Sequence, residues 1–150
     1  MTEQELWEAF CKSRNITETE YEAWAFGEAP DELLELVLQG VKTATSSAFD
    51  LYELEGESVP QAGEYSVLLD SCGNAVCVIQ TTKVYVERFD KVSEEHAYKE
   101  GEGDRSLDYW REVHENFFTN CLKEVGLAFD GNRKVVCEEF EVVYSLSSLR

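Results

Sequence analysis

The chain has 150 residues, of which 43% are hydrophobic and 12% are aromatic. This length suits one domain, and this aromatic content excludes a disordered polyanion, because such chains lack the apolar surface that a packed core requires. Thirty-one acidic residues against 13 lysines and arginines give a formal net charge of −18, which disfavours broad nucleic-acid binding but still allows a pocket for one nucleoside or a short RNA segment.

The first predicted element is a helix, and a short second helix follows it. Apolar residues recur at i, i+3 and i+4 spacing from Trp7 to Cys11, which is typical of one buried helix face. Thr17 and Glu20 have the spacing of a capping box, and they predict a second helix that carries Tyr21 and Trp24.

A third helix and the first strand are predicted next. Residues 30–39 begin with Pro-Asp-Glu, which suits the first turn of a helix, and Gly40 is suited to end it. Residues 42–46 are small or β-branched apart from one lysine, which predicts a strand or its entry. Helical spacing then returns over 49–54 and ends at Gly56.

The middle of the chain predicts a β-hairpin. Pro60 and Gly63 indicate a turn, after which residues 64–70 favour a strand. A tight turn over 71–74, with glycine and asparagine, leads into residues 75–89, which favour one long strand or two joined by a bend.

Two more helices and a closing strand complete the prediction. Ser93 is suited to cap a short helix, and a glycine-broken acidic loop over 100–105 follows it. Ser106 then caps the longest helix, which runs to about residue 124, and residues 134–144 favour a final strand. Since helices and strands do not alternate strictly, and no linker or repeat interrupts them, the pattern predicts one α+β domain.

The five cysteines predict buried free thiols and no metal site. Their number is odd, and no CxxC spacing occurs. The cysteines are Cys11, Cys72, Cys77, Cys121 and Cys137.

No apolar leader follows Met1, and no apolar run reaches the roughly 18–20 residues that span a bilayer, so we expect a cytoplasmic protein without a membrane contact.

The first polar cluster that could carry chemistry is the segment 40–47, Gly-Val-Lys-Thr-Ala-Thr-Ser-Ser. A helix end that leads into a polar strand can line a cleft with an ammonium group and several hydroxyls. The alternative is a plain polar turn with one surface lysine. In a regular strand Lys42 and Thr45 would face opposite sides, so their cooperation requires a bend.

The second cluster lies in the short helix over 94–100. His96 and Glu100 are i, i+4 neighbours, the spacing of a hydrogen-bonded or metal-binding pair. A metal site would need a third ligand and normally a second histidine, and the only other histidine is His114. The alternative is a solvated helix with surface salt bridges.

The third cluster is the longest helix with the loop before it. His114 falls within the apolar stripe of this helix, which favours a buried core histidine over a catalytic one. Arg105, Tyr109 and Arg111 lie off the stripe, where they could stack against a base or hydrogen bond to it. The Gly-Glu-Gly sequence at 101–103 is acidic and disfavours a dinucleotide site.

Three motifs in this order resemble the ASCH domain family of the PUA-like superfamily. Residues 40–45 resemble its Gly-x-Lys-Thr-x-Thr signature, and residues 94–101 and 104–114 resemble its larger bacterial subfamily. The resemblance covers about residues 20–147. It implies that 1–150 form a single ASCH domain, a PUA-like mixed β-barrel flanked by helices, with a helical N-terminal segment.

The resemblance also implies a cleft that holds RNA or a modified nucleoside. Some small family members are amidohydrolases that deacetylate N4-acetylcytidine with a lysine, a threonine and a glutamate. By motif position these correspond to Lys42 as base, Thr45 as nucleophile and Glu100 as an orienting group. Those members carry an arginine shortly after the threonine, where this chain has Ser46 and Ser47. The residues that we predict to contact the substrate are Thr43, Ser46, Arg105, Tyr109 and Arg111.

The sequence therefore supports several functional hypotheses. The first is an RNA- or nucleoside-binding protein with a single polar cleft, and the second is an amidohydrolase acting on N4-acetylcytidine-like nucleosides. The others are a ribonuclease, since one member of the larger subfamily is a metal-dependent one, and a noncatalytic module whose acidic surface meets a basic protein. We expect no cofactor and no metal, and the sequence does not indicate an oligomeric state.

Overall fold

The computed structural model describes residues 1–17 and 20–146, which contain five α-helices, five strands and one 3-10 helix, Phe89–Lys91. The helices are α1 (Glu3–Arg14), α2 (Pro30–Leu38), α3 (Phe49–Glu55), α4 (Glu94–Glu100) and α5 (Leu107–Lys123). The strands are β1 (Glu22–Trp24), β2 (Ala44–Ala48), β3 (Tyr65–Leu69), β4 (Ala75–Arg88) and β5 (Lys134–Ser145). None of these helices in the described residues is both long enough and apolar enough to cross a bilayer.

The predicted second helix is wrong where the structure describes it. Residues 22–24 form β1, which pairs in parallel with β3 so that Glu22 lies opposite Ser66. A parallel partner more than forty residues away in sequence supplies the backbone hydrogen bonds that make these residues a strand. Residues 18 and 19, within the predicted capping box, lie outside the described residues, as does residue 147, the predicted end of the family core.

The other predicted elements are confirmed, and their ends show why. The Thr2 side chain accepts a hydrogen bond from the backbone of Glu5 and makes a full capping box at the start of α1. Ser93 and Ser106 cap α4 and α5, as predicted, by accepting hydrogen bonds from backbone N–H groups. Gly56 ends α3 in the left-handed conformation that glycine adopts without strain.

The five strands form one sheet in the order β1-β3-β4-β5-β2. Only β1 and β3 are parallel, and all other neighbours are antiparallel. Register shifts in β4 after Val78 and Thr81 mark bulges, which bend a strand and increase its twist. The sheet curls into a half-barrel with helices around it, which confirms the predicted α+β class.

Three buried clusters hold the helices against the sheet. Helix α1 packs on β3 and β4 around Leu6 and Phe10, and α2 packs on the other face around Leu34 and Phe140. Helices α4 and α5 pack against β2 and β5 around Phe118. The polar space between β2, α4 and α5 is therefore walled by a packed core and can hold its side chains in fixed positions.

The cysteines agree only in part with the predicted burial. Cys77 and Cys137 are buried in the sheet, and burial raises the pKa of each thiol to about 12. Cys72 is exposed in the turn between β3 and β4, so the prediction of burial is wrong there, because the tight turn leaves no neighbours to cover it.

Candidate functional site

A buried lysine between α2 and β2 stands at the centre of the candidate site. Gly40 adopts a φ of +77°, and the backbone N–H groups of Val41 and Lys42 both donate to the carbonyl of Leu36, which makes a tight turn. Lys42 thus precedes β2, and the alternation of a regular strand does not apply to it. Its side chain turns inward and the residue is only 2% exposed.

Four oxygen atoms surround the ammonium group of Lys42. Its Nζ lies 2.8 Å from the carbonyl of Ala44, 3.2 Å from Glu100 Oε1 and 3.2 Å from Glu102 Oε2, with the carbonyl of Glu100 at 3.4 Å. A buried ion costs several kcal/mol of desolvation unless partners of this kind compensate it. All three N–H donors of the ammonium group therefore have an acceptor.

Glu100 connects the rest of the site, and one of its oxygens accepts three hydrogen bonds. The Oε2 atom lies 2.5 Å from Ser46 Oγ, 2.5 Å from Trp110 Nε1 and 3.0 Å from His96 Nε2. The residue is 1% exposed. Three donors on one buried carboxylate oxygen fix its position and favour its charged form.

The two charged groups beside Glu100 determine its ionisation. Burial alone would raise the pKa of Glu100, but the charges of Lys42 and His114 outweigh burial and hold this pKa well below its usual range. Burial would likewise lower the pKa of His114, but the Glu100 carboxylate 3.4 Å from its Nε2 raises it overall. His114 Nδ1 donates to the carbonyl of Trp110 at 2.8 Å.

His96 holds Glu100 in place instead of activating Ser46. Its Nε2 lies 2.7 Å from Ser46 Oγ and 3.0 Å from the Glu100 carboxylate, which can only accept. The proton therefore belongs on Nε2, and Ser46 donates to Glu100. His96 Nδ1 is buried and has no hydrogen-bond partner in the described part of the chain. A serine nucleophile with a histidine base would need the opposite tautomer.

A close backbone contact brings the distant halves of the site together. Thr43 N donates to the carbonyl of Lys99 at 2.7 Å, which ties the end of α4 to the turn before β2. Gly101 follows with a φ of +75°, and a Cβ there would lie 2.6 Å from the carbonyl oxygen of Val41. Only glycine allows this approach, which places Glu100 beside the lysine.

Two adjoining cavities open at this cluster, where the sequence predicted a single cleft. The smaller, of about 70 Å³, is lined by Lys42, Glu100, Glu102 and His114. The larger, of about 370 Å³, lies between β1, β2, α3 and α5. Thr45 and Ser46 line both cavities. The aromatic residues around the larger cavity are Trp24, Phe26, Tyr52, Phe117 and Phe118.

The structure brings together the three residues predicted to be catalytic. Lys42 and Glu100 form an ion pair at 3.2 Å, and Thr45 lines the smaller cavity together with them. No hydrogen bond among the described residues uses the Thr45 hydroxyl, so it is available to a ligand. The catalytic roles themselves stay predictions.

Of the residues predicted to contact substrate, Ser46 lies in the site, whereas Thr43 and Arg111 line neither cavity. Thr43 directs its hydroxyl to the carbonyl of Lys99 at 3.4 Å, away from both cavities. Arg111 donates to the carbonyl of Asp90 at 3.3 Å, and its buried Nε has no partner among the described residues. Thr43 lines a further cavity of about 200 Å³ together with Lys42, and the predicted substrate contacts of both residues stay predictions.

Arg105 and Tyr109 also lie outside both cavities. Arg105 stacks on the Tyr98 ring with its guanidinium carbon 3.6 Å from the ring centre, and it donates to the carbonyls of Tyr98 and Val41. Tyr109 packs over Gly103, where a Cβ would lie 2.5 Å from its ring. Both residues thus have contacts within the protein, and their predicted contacts with a base stay predictions.

Four further residues belong to the site although they are not among the predicted catalytic or substrate-contacting residues: His96, Glu102, Trp110 and His114. The i, i+4 spacing of His96 and Glu100 was a usable signal, and the solvated reading of this helix is wrong because both residues are buried. His114 is buried as predicted, but it also faces Glu100. Glu102 sits in an acidic loop, and no sequence pattern marks it as the second partner of the lysine.

Three residues of the site could together hold a metal ion. One ligand atom from each of Glu100, Glu102 and His114 lies within 4.8 Å of the others. The Lys42 ammonium, however, lies 3.2 Å from both carboxylates and already takes the place of a cation. A metal ion would have to displace it, so this arrangement fits an ammonium group better than a metal.

Comparison with known proteins assigns the fold to a family. The family model described as "ASCH domain" matches residues 22–144. Protein EF3133 from Enterococcus faecalis V583 is 36% identical, with a TM-score of 0.90 over 97% of this chain and 90% of that one. The ASCH domain from Lactobacillus crispatus JV V101 is 32% identical, with a TM-score of 0.87 over 94% and 93%. None of the curated protein sequences compared with the chain matches it.

Proposed function

The chain belongs to the ASCH domain family, and from this premise we propose that it binds a nucleoside-like ligand and hydrolyses an acyl amide on the base. One observation carries the proposal. The buried Lys42–Glu100 pair lies at the wall of a cavity where Thr45 offers a hydroxyl without a partner among the described residues. A buried charge pair inside a cavity is a common mark of a functional site.

The chemistry of the three residues suits amide hydrolysis. Thr45 Oγ1 attacks the acyl carbonyl, the C–N bond breaks, and the amine leaves with a proton while an ester forms on Thr45. Water then hydrolyses this ester and releases the acid. The negative oxygen that develops on the carbonyl is stabilised by the nearby ammonium of Lys42 or by a proton that it donates.

Lys42 can accept the proton of Thr45 only after it has released one of its own. Glu102 can accept this proton and pass it to solvent, because its carboxylate lies 3.2 Å from Nζ and its side chain is 19% exposed. The side chain of Glu100 is almost fully buried. Glu100 stays ionised because its pKa is held well below the usual range, and it orients the lysine.

The larger cavity has the size and walls that a nucleoside needs. Its volume of about 370 Å³ lies within the range of roughly 300–1,000 Å³ that is typical of small-molecule sites. Aromatic rings from β1, α3 and α5 surround it and offer faces on which a base can stack.

The test is hydrolysis of N4-acetylcytidine, followed as cytidine formation by chromatography. We expect Lys42→Ala, Thr45→Ala and Glu100→Gln each to lower kcat/KM by at least about 100-fold, the scale of losing one acid–base or nucleophilic group. The matched controls are Lys99→Ala and Thr82→Ala, which line neither cavity and should keep full activity. Turnover that survives Lys42→Ala or Thr45→Ala would contradict the proposal.

A noncatalytic nucleoside-binding protein is the second candidate. It is favoured by the four oxygens that already engage the Lys42 ammonium, because such a cation is a poor base until it loses a proton. Calorimetry separates the two candidates: saturable binding of N4-acetylcytidine without cytidine formation supports the second.

A further inference from the structure

The larger cavity carries negative charge without any basic counterpart. Four glutamates line it, and no lysine, arginine or histidine of the described residues does so. The ammonium group of Lys42 lies at the adjoining smaller cavity, where it forms ion pairs with Glu100 and Glu102. The four glutamates are Glu22, Glu57, Glu64 and Glu138.

Glu138 is the buried member of this group, and only one of its two carboxylate oxygens accepts a hydrogen bond from the described residues. It lies on β5 opposite Thr45 and is 7% exposed. Thr81 Oγ1 donates to its Oε2 at 2.6 Å, no hydrogen bond among the described residues uses its Oε1, and the residue lines the larger cavity. A carboxylate oxygen that has no donor at a cavity wall can accept a hydrogen bond from a ligand N–H or pair with a cation.

The surrounding charges add to the demand for a cation. Burial first, and then the negative charges of Glu64 and Glu22, raise the pKa of Glu138. Burial and the charges of Glu64 and Glu57 do the same for Glu22. Four carboxylates that repel one another around one space are stabilised by a positive ligand and destabilised by an anionic one.

The aromatic walls favour the same kind of ligand. Trp24 and Phe26 meet edge to face with centroids 5.1 Å apart, and Tyr52 and Phe117 also line the cavity. Ring faces attract cations, most strongly where water is excluded. Phe26 already contacts the Lys42 ammonium, 5.3 Å from its ring centre, on the side of the smaller cavity.

We propose that the larger cavity binds a flat organic cation of about nucleoside size, with Glu138 as its carboxylate partner, and that it rejects ligands bearing phosphate. A positively charged methylated nucleobase has this chemistry: a planar ring for the aromatic walls, a delocalised charge for the glutamates and an exocyclic N–H for Glu138. The inference rests on the proposed function only for the nucleoside scaffold and does not depend on hydrolysis.

The test compares two nucleosides that differ in charge but hardly in shape. 3-Methylcytidine is a cation at neutral pH, whereas 3-methyluridine has the same ring and methyl group and is neutral. By calorimetry we expect the cation to bind at least about tenfold tighter, the effect of one good charge pair or cation–π contact. Adding a 5′-phosphate to 3-methylcytidine should weaken its binding.

Matched variants locate the effect. Glu138→Gln should remove most of the preference for the cation, whereas Glu141→Gln, on the same strand but outside the larger cavity, should keep it. Glu57→Gln changes an exposed wall residue and should reduce the preference even if Glu138→Gln fails to fold. Equal affinity for both nucleosides in the unaltered protein, or a preference untouched by both wall variants, would overturn the inference.

A second ligand pair separates this inference from the proposed function. 1-Methylnicotinamide is a flat cation without a sugar, and nicotinamide is its neutral counterpart. If the cation binds preferentially in both pairs while N4-acetylcytidine is not hydrolysed, the inference stands and the proposed function fails. If N4-acetylcytidine is hydrolysed but neither pair shows a preference, the inference fails alone.

Discussion

At the scale of single residues, Lys42 contributes to the stability of the protein because it neutralises the buried carboxylate of Glu100. We predict that Lys42→Met lowers the free energy of unfolding by about 3–5 kcal/mol, because it leaves the buried Glu100 carboxylate without its main counterion. The measurement is urea denaturation at neutral pH.

The control for this prediction is Lys99→Met, which also removes one lysine and two ion pairs. The partners of Lys99 are Glu95 and Glu139, and Lys99 itself is partly exposed, so the loss should stay below about 1 kcal/mol. The deficit of Lys42→Met should also shrink at acid pH, where Glu100 without the lysine takes up a proton. Equal losses in both variants would contradict the interpretation.

His114 gives the stability of the protein a pH dependence of predictable sign. Its pKa is raised in the folded protein above the unfolded value of about 6.5. Its contribution is therefore fully present below about pH 6.5 and is lost as the pH rises through the folded pKa. We expect the stability difference between the unaltered protein and His114→Gln to be larger at about pH 6 than at about pH 9.

Urea midpoints across this range provide the measurement, and groups common to both proteins cancel in the difference. An imidazole resonance of His114 that titrates above the ordinary histidine range would agree independently. A stability difference that is constant with pH, or that grows toward alkaline pH, would contradict a raised pKa of His114 in the folded protein.

The sequence marks only part of the site at this scale. Lys42, Thr45 and Glu100 follow from motifs that match by position, and their neighbourhood agrees with the structure. Glu102 and His114 could not be assigned to the site from the sequence. Neighbouring residues do not show that the acidic loop places Glu102 beside Lys42, or that His114 in the apolar stripe of α5 faces Glu100. Arg105 differs from these residues: its side chain is predicted to contact a base, and in the structure it donates to the carbonyls of Tyr98 in α4 and Val41 in the turn before β2.

At the scale of elements, the position of α4 depends on one glycine. We predict that Gly101→Ala lowers the free energy of unfolding by about 1–3 kcal/mol more than Gly126→Ala does, the usual cost of overpacking. Both glycines have a φ near +75°, so both alanines meet the same backbone strain. Only at Gly101 does the new Cβ lie 2.6 Å from a backbone oxygen.

Urea denaturation of the two variants measures the difference, and activity on N4-acetylcytidine or ligand binding adds a second readout. Since the clash separates α4 from the turn before β2, Gly101→Ala should also weaken the Lys42–Glu100 contact. Equal stability of the two variants would mean that α4 can shift without loss and that the site does not depend on this close approach.

Local pattern was sufficient for most elements because their ends carry specific residues. The caps Ser93 and Ser106 begin α4 and α5 where the sequence indicates. Strand β1 was not predicted because pairing with β3, which is distant in sequence, stabilises these three residues. The aromatic residues at 21 and 24 have helical spacing, and no nearby residue indicates a strand instead. Tertiary hydrogen bonds decide such short segments.

At the scale of the whole molecule, the net charge of −18 and the four glutamates of the larger cavity act in the same direction. A phosphate-bearing strand meets repulsion at long range from the surface and again at the cavity wall, whereas a small cation is attracted at both distances. The electrostatic potential at the larger cavity thus has the same sign as the potential at the protein surface. The proposed preference for a small ligand without phosphate follows from this negative potential.

The same charge excess makes the folded state sensitive to salt. We predict that the thermal unfolding midpoint rises as NaCl increases from about 0.01 M to about 1 M, because the Debye length falls from about 30 Å to about 3 Å and repulsion among the acidic residues is screened. The repulsion is stronger in the compact state than in the expanded unfolded chain, so screening favours folding. KCl at equal ionic strength should give the same rise, since screening does not depend on the identity of the cation. A midpoint that falls with salt would mean that attractive ion pairs such as Lys42–Glu100 outweigh the excess of like charges.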